Sequence, residues 1–233
     1  MDLETVAPEH RPFVARLLDV GARKYHDKHP FHALMNSGQL SRQALKIWAI
    51  NRFYYQRTIP MKDAAILSSC PDPGVRRRWI QRIVDHDGRT EGEGGLEAWL
   101  RLVEAVGGTR AEAWDERNVL PGVRFAVDAY LTFARTRPWM DAVASSLTEL
   151  FAPSLHTVRL AAFPEHYPWV DAEGLVYFKT RLSHARADVQ HGLSLVLAHY
   201  RDPAQQDHVV GLLEFKCDLL WAQLDAIQKA AGL

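Results

Sequence analysis

The feature that most constrains the fold is the spacing of apolar residues, which follows a helical period along nearly the whole chain. Segments 42–57, 119–136, 173–199 and 203–231 each repeat apolar residues at intervals of three and four, as expected for helices with one buried face. No segment combines strict apolar–polar alternation with the β-branched residues typical of strands. The sequence therefore predicts an all-α protein.

Local signals mark the ends of several predicted helices. Ser41 is a suitable N-cap for a helix that begins at Arg42, and the run Pro71-Asp72-Pro73-Gly74 ends a helical pattern. Pro153 is expected to kink or break the long segment 139–161. The remaining predicted helices are 8–22, 75–84 and 96–106, and 61–69 continues the helical pattern that begins at Arg42. About seven or eight helices result.

Length and composition favour a single domain of an ordinary globular type. The chain has 233 residues with 28 basic and 28 acidic side chains, and this balance argues against a nucleic-acid binder. Cys70 and Cys217 occur in no pairing motif, so neither a disulfide framework nor a structural zinc site is expected. No export signal or membrane span is recognisable. We expect one helical domain over residues 1–233, an enzyme or a binding protein that is located in the cytoplasm and independent of membranes.

Five polar residues share one face of the predicted helix around residue 184. Tyr177, Arg181, His184, Asp188 and His191 lie at positions i, i+4, i+7, i+11 and i+14. They adjoin an apolar stripe, and a helix of this kind either lines a polar cavity or carries a solvated face with pairs of interacting side chains. The spacing by itself leaves both interpretations open.

Two further polar sets lie on other helices. Arg52, Tyr55 and Gln56 belong to a helix that is apolar nearly all round, so their side chains are either paired structurally or part of a pocket. Arg82 and His86 are four residues apart before a glycine-rich loop. His86 is a candidate acid–base group, although a helix C-terminus also stabilises a protonated histidine that has no chemical role.

Glu149, His156, Arg159 and Lys216 complete the polar candidates. Glu149 and His156 are two helical turns apart, and Lys216 lies among leucines in the last helix, where it either reaches the surface with its amine or binds a carboxylate. The four arginines and one lysine of these sets would suit a ligand that carries several carboxylates.

A di-iron oxidase is the competing interpretation of the same residues. Glu149 and His156, together with His184, Asp188 and His191, have the residue types and the spacing of carboxylate–histidine metal sites in helical bundles. The arginine on the second of these faces argues against a bound dication. Nucleotide, phosphate-loop, nucleophile-elbow and CxxC motifs are absent from the sequence.

Six long runs of sequence resemble the pyrroloquinoline-quinone synthase family, with a match that extends from about residue 25 to residue 226. The runs are Trp48-Ala-Ile-Asn-Arg-Phe-Tyr-Tyr-Gln56, Ile59-Pro-Met-Lys-Asp-Ala-Ala65, Arg82-Ile-Val-Asp-His-Asp-Gly88, Leu120-Pro-Gly-Val-Arg-Phe-Ala-Val-Asp-Ala-Tyr130, Ser145-Ser-Leu-Thr-Glu-Leu-Phe-Ala-Pro153 and Glu165-His-Tyr-Pro-Trp169. The resemblance implies a compact, haem-oxygenase-like bundle of seven helices that works as a homodimer without metal or organic cofactor.

The family's reaction is the last step of pyrroloquinoline quinone formation. The substrate is a small polycarboxylate, an amino-carboxyethyl dioxo-hexahydroquinoline dicarboxylate. Its second ring is closed and eight electrons are removed in all, with O2 as the oxidant and hydrogen peroxide as a product. A bound, electron-rich intermediate can react with O2 directly, so the protein has to supply orientation, proton transfers and charge stabilisation.

The resemblance also implies the site residues. The implied catalytic residues are four. His86 would be an acid–base group above the ring, and His156, Tyr177 and Arg181 would surround the position of O2 and peroxide. Arg52, Arg82, Arg159 and Lys216 would hold carboxylates. The other implied substrate contacts are Tyr25, His26, Gln56, Lys62, Tyr130 and Glu149. His184 departs from the pattern, because it stands where relatives can carry glutamine.

Two rival functions share the expected fold or the cationic pocket. A thiamin-salvage hydrolase would need a nucleophilic cysteine that faces the cavity. Neither Cys70 nor Cys217 is an obvious candidate for this nucleophile. A carrier that binds and delivers the quinone would need the arginines but no chemistry. Oxygen consumption in the presence of substrate separates an enzyme from a carrier.

Overall fold

The computed structural model describes the backbone of residues 3–233 and the side chains of residues 3–182 and 190–233. Within these residues eleven α-helices follow one another and no β-strand occurs, so the all-α prediction is confirmed. The helices are α1 (Arg11–Lys24), α2 (Pro30–Asn36), α3 (Arg42–Ser69), α4 (Pro73–Asp87), α5 (Gly94–Ala105), α6 (Arg110–Trp114), α7 (Pro121–Thr136), α8 (Trp139–Ser145), α9 (Ala152–His166), α10 (Val176–His199) and α11 (Pro203–Ala230).

The described part of the chain has eleven α-helices where the sequence predicted about seven or eight and the resemblance implied seven. Helices α2 and α6 were not recognisable from the sequence, and α8 is the first part of the predicted segment 139–161, which divides before Pro153. Helices α2, α6 and α8 contain seven, five and seven residues. A helical period becomes visible only over a window of about 11–18 residues, so elements as short as α2 and α6 leave no periodic signal of their own. The other eight helices have at least twelve residues each.

The N-cap prediction at Ser41 is confirmed, and the helix that it starts is longer than expected. The Ser41 hydroxyl accepts a hydrogen bond from the backbone N–H of Ala44 at 3.1 Å. The predicted helix 42–57 and its continuation over 61–69 form one helix of 28 residues, α3, with Pro60 inside it. Pro60 removes one backbone donor, but α3 packs against α4, α5 and α7, which keeps the helix continuous.

The predicted break at Pro153 is also confirmed, and it shapes the site. Helix α8 ends at Ser145, a 3-10 segment covers Ser146–Leu150, and α9 begins at Ala152. Pro153 therefore occupies the first turn of α9, where its missing N–H would have no helical partner. The 3-10 segment carries Glu149, which pairs with Arg82 on α4.

Two apolar clusters form the core. The first includes Trp48, Trp99 and Phe178, and the second includes Leu17 and Leu213. The ring of Tyr55 on α3 packs against both clusters. Polar residues on neighbouring turns of α3 therefore lie where the two clusters meet.

No helix in the described part of the chain is both long enough and apolar enough to cross a membrane.

Candidate functional site

A cavity with an open mouth lies between the two clusters. Helix α3 contributes one wall, and α4, α9, α10 and the 3-10 segment before α9 contribute the others. The residues predicted from the sequence that line it are Tyr25, His26, Arg52, Gln56, His86, Glu149, His156, Arg159, Tyr177 and Arg181. The structure thus gathers ten of the fourteen predicted residues around one space.

The other four predicted residues, Lys62, Arg82, Tyr130 and Lys216, are buried but do not line this cavity. They form a second layer behind its wall. Arg82 reaches the cavity through Glu149, to which it is paired. Their assignment as direct substrate contacts remains a prediction.

Arg52 and Arg159 are held in the cavity by uncharged partners. Arg52 Nη1 donates to Gln223 Oε1 at 2.7 Å, and Arg159 Nη2 donates to His32 Nε2 at 2.7 Å. Burial lowers the pKa of the Arg159 guanidinium to about 9, with a further contribution from the charge of Arg52. No carboxylate among the described residues pairs with either guanidinium, so the cavity keeps positive charge that an anionic ligand can match.

Behind Glu149, four charged residues neutralise one another. Arg82 binds Glu149 with both terminal nitrogens. Its Nε and the amine of Lys62 both donate to Asp63 Oδ1, at 3.3 and 2.5 Å. Burial favours the neutral form of Asp63, but Lys62 and Arg82 outweigh it and lower its pKa. This group therefore combines two cations with two carboxylates and adds little net charge to the site.

His86 is a buried, neutral imidazole. It lies in the last turn of α4 and is 3% exposed. Its Nδ1 donates to the carbonyl of Arg82 at 3.2 Å, which leaves Nε2 unprotonated and without a partner among the described residues. Burial, and then the charge of Arg181, lower the pKa of His86 to about 3. A helix C-terminus would instead raise the pKa of His86, so burial dominates, and Nε2 is available as a proton acceptor.

Tyr177, His156 and Arg181 lie together on another wall. The Tyr177 hydroxyl donates to Gln56 Oε1 at 2.8 Å, and the Tyr177 ring centroid is 6.0 Å from that of His156. Burial, then the charges of Arg159 and Arg181, lower the pKa of His156 well below its usual value. A phenol, a neutral imidazole and a guanidinium therefore share one wall, which suits the binding of a small electron-poor molecule that gains negative charge.

Lys216 is enclosed and does not extend its amine to the surface. It is 1% exposed, and its Nζ lies 3.2 Å above the ring of Tyr130 and 4.4 Å above the ring of Tyr55. Its Nζ has no hydrogen-bond partner among the described residues. Burial, then the charge of Lys62, lower the pKa of Lys216 well below its usual value. Tyr55 separates this amine from the cavity.

Three residues that the sequence analysis did not single out hold the predicted ones in place: Asp63, His32 and Gln223. Gln223 lies seven residues after Lys216, on the same face of α11, and this spacing could have pointed to it. Asp63 directly follows Lys62 in a helix that is apolar nearly all round, so a buried pair could have been expected. The sequence carries no comparable signal for His32.

The described residues give little support to a metal site or to a nucleophilic thiol in the cavity. Both oxygens of Glu149 are bound by Arg82, and His191 packs beside Trp79 with ring centroids 5.9 Å apart, away from the cavity lining. His184 and Asp188 lie outside the described side chains, so their part of the metal prediction is untested. Cys217 does not line the cavity, and burial raises the pKa of its thiol to about 12, which disfavours a nucleophilic thiolate.

Curated relatives match nearly the full length of the chain. A protein of Ectopseudomonas mendocina called pyrroloquinoline-quinone synthase is 57% identical over 209 residues, which cover 90% of this chain and 84% of the relative. A protein of Pseudomonas aeruginosa with the same name is 54% identical over 231 residues, or 99% of this chain and 92% of the relative. A third protein with this name, from Klebsiella pneumoniae, is 54% identical over 209 residues, or 90% and 83%.

Solved structures with low sequence identity share the fold. A TenA homologue from Pseudomonas syringae superposes with a TM-score of 0.77 at 14% identity and covers 98% of this chain and 96% of its own. A domain with a heme oxygenase-like fold from Shewanella denitrificans gives a TM-score of 0.75 at 13% identity, with coverage of 100% and 94%. The expected haem-oxygenase-like fold is therefore confirmed. The model of the TENA/THI-4/PQQC family matches residues 14–226, and together with the relatives above this shows that the chain belongs to that family.

Proposed function

We propose that this chain catalyses the reaction for which its relatives are called pyrroloquinoline-quinone synthase. In that reaction the polycarboxylate quinoline substrate binds in the cavity, its second ring closes, and O2 removes eight electrons with formation of hydrogen peroxide. The proposal includes no metal and no organic cofactor, because the oxidised group is the substrate itself.

The observation that carries the proposal is the combination of positive charge and neutral imidazole in one buried cavity. Arg52 and Arg159 have only uncharged partners among the described residues, so substrate carboxylates can supply the missing counter-charge. His86 Nε2 has a free lone pair in the same cavity. A polycarboxylate ring that must lose protons as it is oxidised fits both features.

The proposed division of roles follows from the same contacts. Arg52 and Arg159 orient the substrate, and His86 accepts ring protons. Tyr177, His156 and Arg181 surround O2, where the guanidinium favours transfer of electrons by stabilising the superoxide or peroxide anion that forms. Removing a contact of that kind typically costs about 3–4 kcal/mol of barrier. Burial raises the pKa of Tyr177, so its hydroxyl stays a hydrogen-bond donor.

A rapid-mixing experiment tests the proposal. Substrate is bound to the protein without oxygen, O2 is then admitted, and absorbance, O2 uptake and hydrogen peroxide are followed. We expect stoichiometric conversion to the quinone with consumption of O2. Binding of the quinone without any consumption of O2 in the presence of substrate would instead identify a carrier.

We also propose that two copies of the chain associate. Phe125 on α7 is 80% exposed, and aromatic side chains of this kind are enriched in interfaces between subunits. Light scattering of the purified protein should give twice the mass of 26.4 kDa. A monomeric mass at micromolar concentration would refute this proposal. Phe125→Asp should shift the protein to the monomer and leave its helical content unchanged.

A further inference from the structure

The residues that hold Arg52 and Arg159 lie outside the cavity. Gln223 on α11 accepts from Arg52, and His32 on α2 accepts from Arg159, each at 2.7 Å. Both acceptors are 1% exposed, and neither lines the cavity. We infer that Gln223 and His32 are positioning residues that orient Arg52 and Arg159 without neutralising them, so that substrate carboxylates meet the full positive charge. This inference rests on the proposed function.

The chemistry of each contact requires an uncharged acceptor. A guanidinium only donates, so His32 Nε2 carries a lone pair, and the proton of this ring is on Nδ1. Burial, then the charge of Arg159, lower the pKa of His32 well below its usual value, which keeps the ring neutral. The amide nitrogen of Gln223 donates to the carbonyl of Leu219 at 3.2 Å, and this contact directs the amide oxygen towards Arg52.

The same protein uses carboxylates where it neutralises an arginine. Arg82, one layer behind the cavity, is held by Glu149 and Asp63. A buried arginine with an uncharged partner is costly to the empty protein, whereas a carboxylate partner would offset that cost. The structure places neutral acceptors at Arg52 and Arg159, which line the cavity, and carboxylates at Arg82, which does not. This distribution is expected if the ligand, and not the protein, provides the anions.

Gln223→Glu tests the inference with a change of nearly one atom. The new carboxylate would pair with Arg52, so the melting temperature of the empty protein should rise or stay unchanged. Affinity for pyrroloquinoline quinone, measured by fluorescence or calorimetry, should fall roughly 10- to 100-fold, the range of one charge-assisted contact. KM should rise by a similar factor, while kcat at saturation changes less, because the chemistry takes place on another wall.

Two variants separate the added charge from the altered packing. Gln223→Met removes the acceptor without adding charge, and it should weaken binding less than Gln223→Glu does. A purely structural role would give the opposite order. Gln43→Glu adds the same charge at an exposed position of α3, and it should bind the quinone like the natural protein.

The outcomes distinguish this inference from the proposed function. If the natural protein does not bind pyrroloquinoline quinone, the proposed function fails and the inference fails with it. If the natural protein binds it and Gln223→Glu binds it equally well, the inference is wrong and the proposed function stands. His32→Glu applies the same test at Arg159 should Gln223→Glu not fold. Unchanged affinity in whichever of the two variants folds overturns the inference.

Discussion

Arg82 and Glu149 are joined by two parallel hydrogen bonds, one from each terminal nitrogen of the guanidinium to a separate oxygen of the carboxylate. The Arg82 side chain is 5% exposed and that of Glu149 is 22% exposed. Arg82 also binds Asp63 through Nε, at 3.3 Å. The pair connects the layer of buried charges with the cavity, because Glu149 lines the cavity and Arg82 does not.

The first prediction concerns the stability of this pair. Glu149→Gln leaves Arg82 with Asp63 as its remaining described carboxylate and should lower the free energy of unfolding by about 3 kcal/mol. The double variant Arg82→Met, Glu149→Leu removes both charges and should recover part of that loss. Urea unfolding followed by circular dichroism measures both. If the double variant loses as much stability as the single variants Arg82→Met and Glu149→Leu lose together, a direct pairing is contradicted.

The second prediction separates proton transfer from oxygen chemistry. His86→Ala should bind substrate and then stall at a step limited by proton transfer, with a loss of about 10²–10⁴-fold. Added imidazole should restore part of the rate. Arg181→Ala and Tyr177→Phe should instead close the ring without oxygen and accumulate a reduced, quinol-like species that O2 oxidises slowly.

Rapid-mixing absorbance with and without O2 distinguishes these stages. All three variants should keep their helical content, because the altered groups line a cavity. If the His86 and Arg181 variants stall at the same intermediate with the same dependence on O2, the proposed division of roles is wrong.

The third prediction is a loss of stability in acid. Burial lowers the pKa of His86 to about 3, and it lowers the pKa values of His26, His32 and His156 well below 6.5. Below pH 6.5 the unfolded chain therefore binds protons at these rings that the folded chain does not bind. The free energy of unfolding should fall as pH decreases from 6.5 towards 3, by up to about 1.4 kcal/mol per pH unit for each ring.

Urea midpoints at pH 7, 6 and 5 check this dependence. His86→Gln should flatten the slope in this range, since the variant lacks one of the four rings. A slope that is the same in the natural protein and in His86→Gln would show that His86 is accessible to protons in the folded state.

The fourth prediction concerns Arg52 and Lys216 in substrate binding. Arg52→Ala and Lys216→Ala should weaken the affinity for substrate roughly 10- to 100-fold, the value of one charged hydrogen bond. Arg52 lines the cavity, whereas Tyr55 separates Lys216 from it, so the larger loss is expected for Arg52. Unchanged binding in both variants would refute their role as carboxylate ligands.

The lowered pKa of Lys216 also predicts that the protein takes up a proton when substrate binds. Burial and nearby cations lower its pKa in the empty protein, and a carboxylate that arrives nearby would raise it again. Calorimetry in buffers of different ionisation enthalpy should therefore show proton uptake when substrate binds. The uptake should decrease in Lys216→Met.

The fifth prediction is activity without added metal. Both oxygens of Glu149 are engaged by Arg82, and Arg181 lines the same cavity, which makes a dication there unfavourable. Exhaustive chelation followed by gel filtration should leave the rate unchanged. Loss of activity that Fe²⁺ restores would contradict the cofactorless reaction.

Much of this protein was determined by local properties of the sequence. The helical period predicted the all-α class, and Ser41 and Pro153 marked a helix start and a helix break that the structure confirms. These features depend on residues a few positions apart, and their physics is local. Of the fourteen site residues that the resemblance implies, ten lie around one cavity in the structure.

Only the tertiary structure decided which charges are compensated. A helical period tells which face of a helix a residue occupies, but it does not tell which residue of another helix it meets. Arg52 and Gln223 are 171 positions apart, and Arg159 and His32 are 127 apart. From the sequence, Arg52, Arg82 and Arg159 were equivalent carboxylate ligands. Packing of the helices gave Arg82 two carboxylates and gave the other two uncharged partners, and this difference leaves the positive charge of Arg52 and Arg159 open to a ligand.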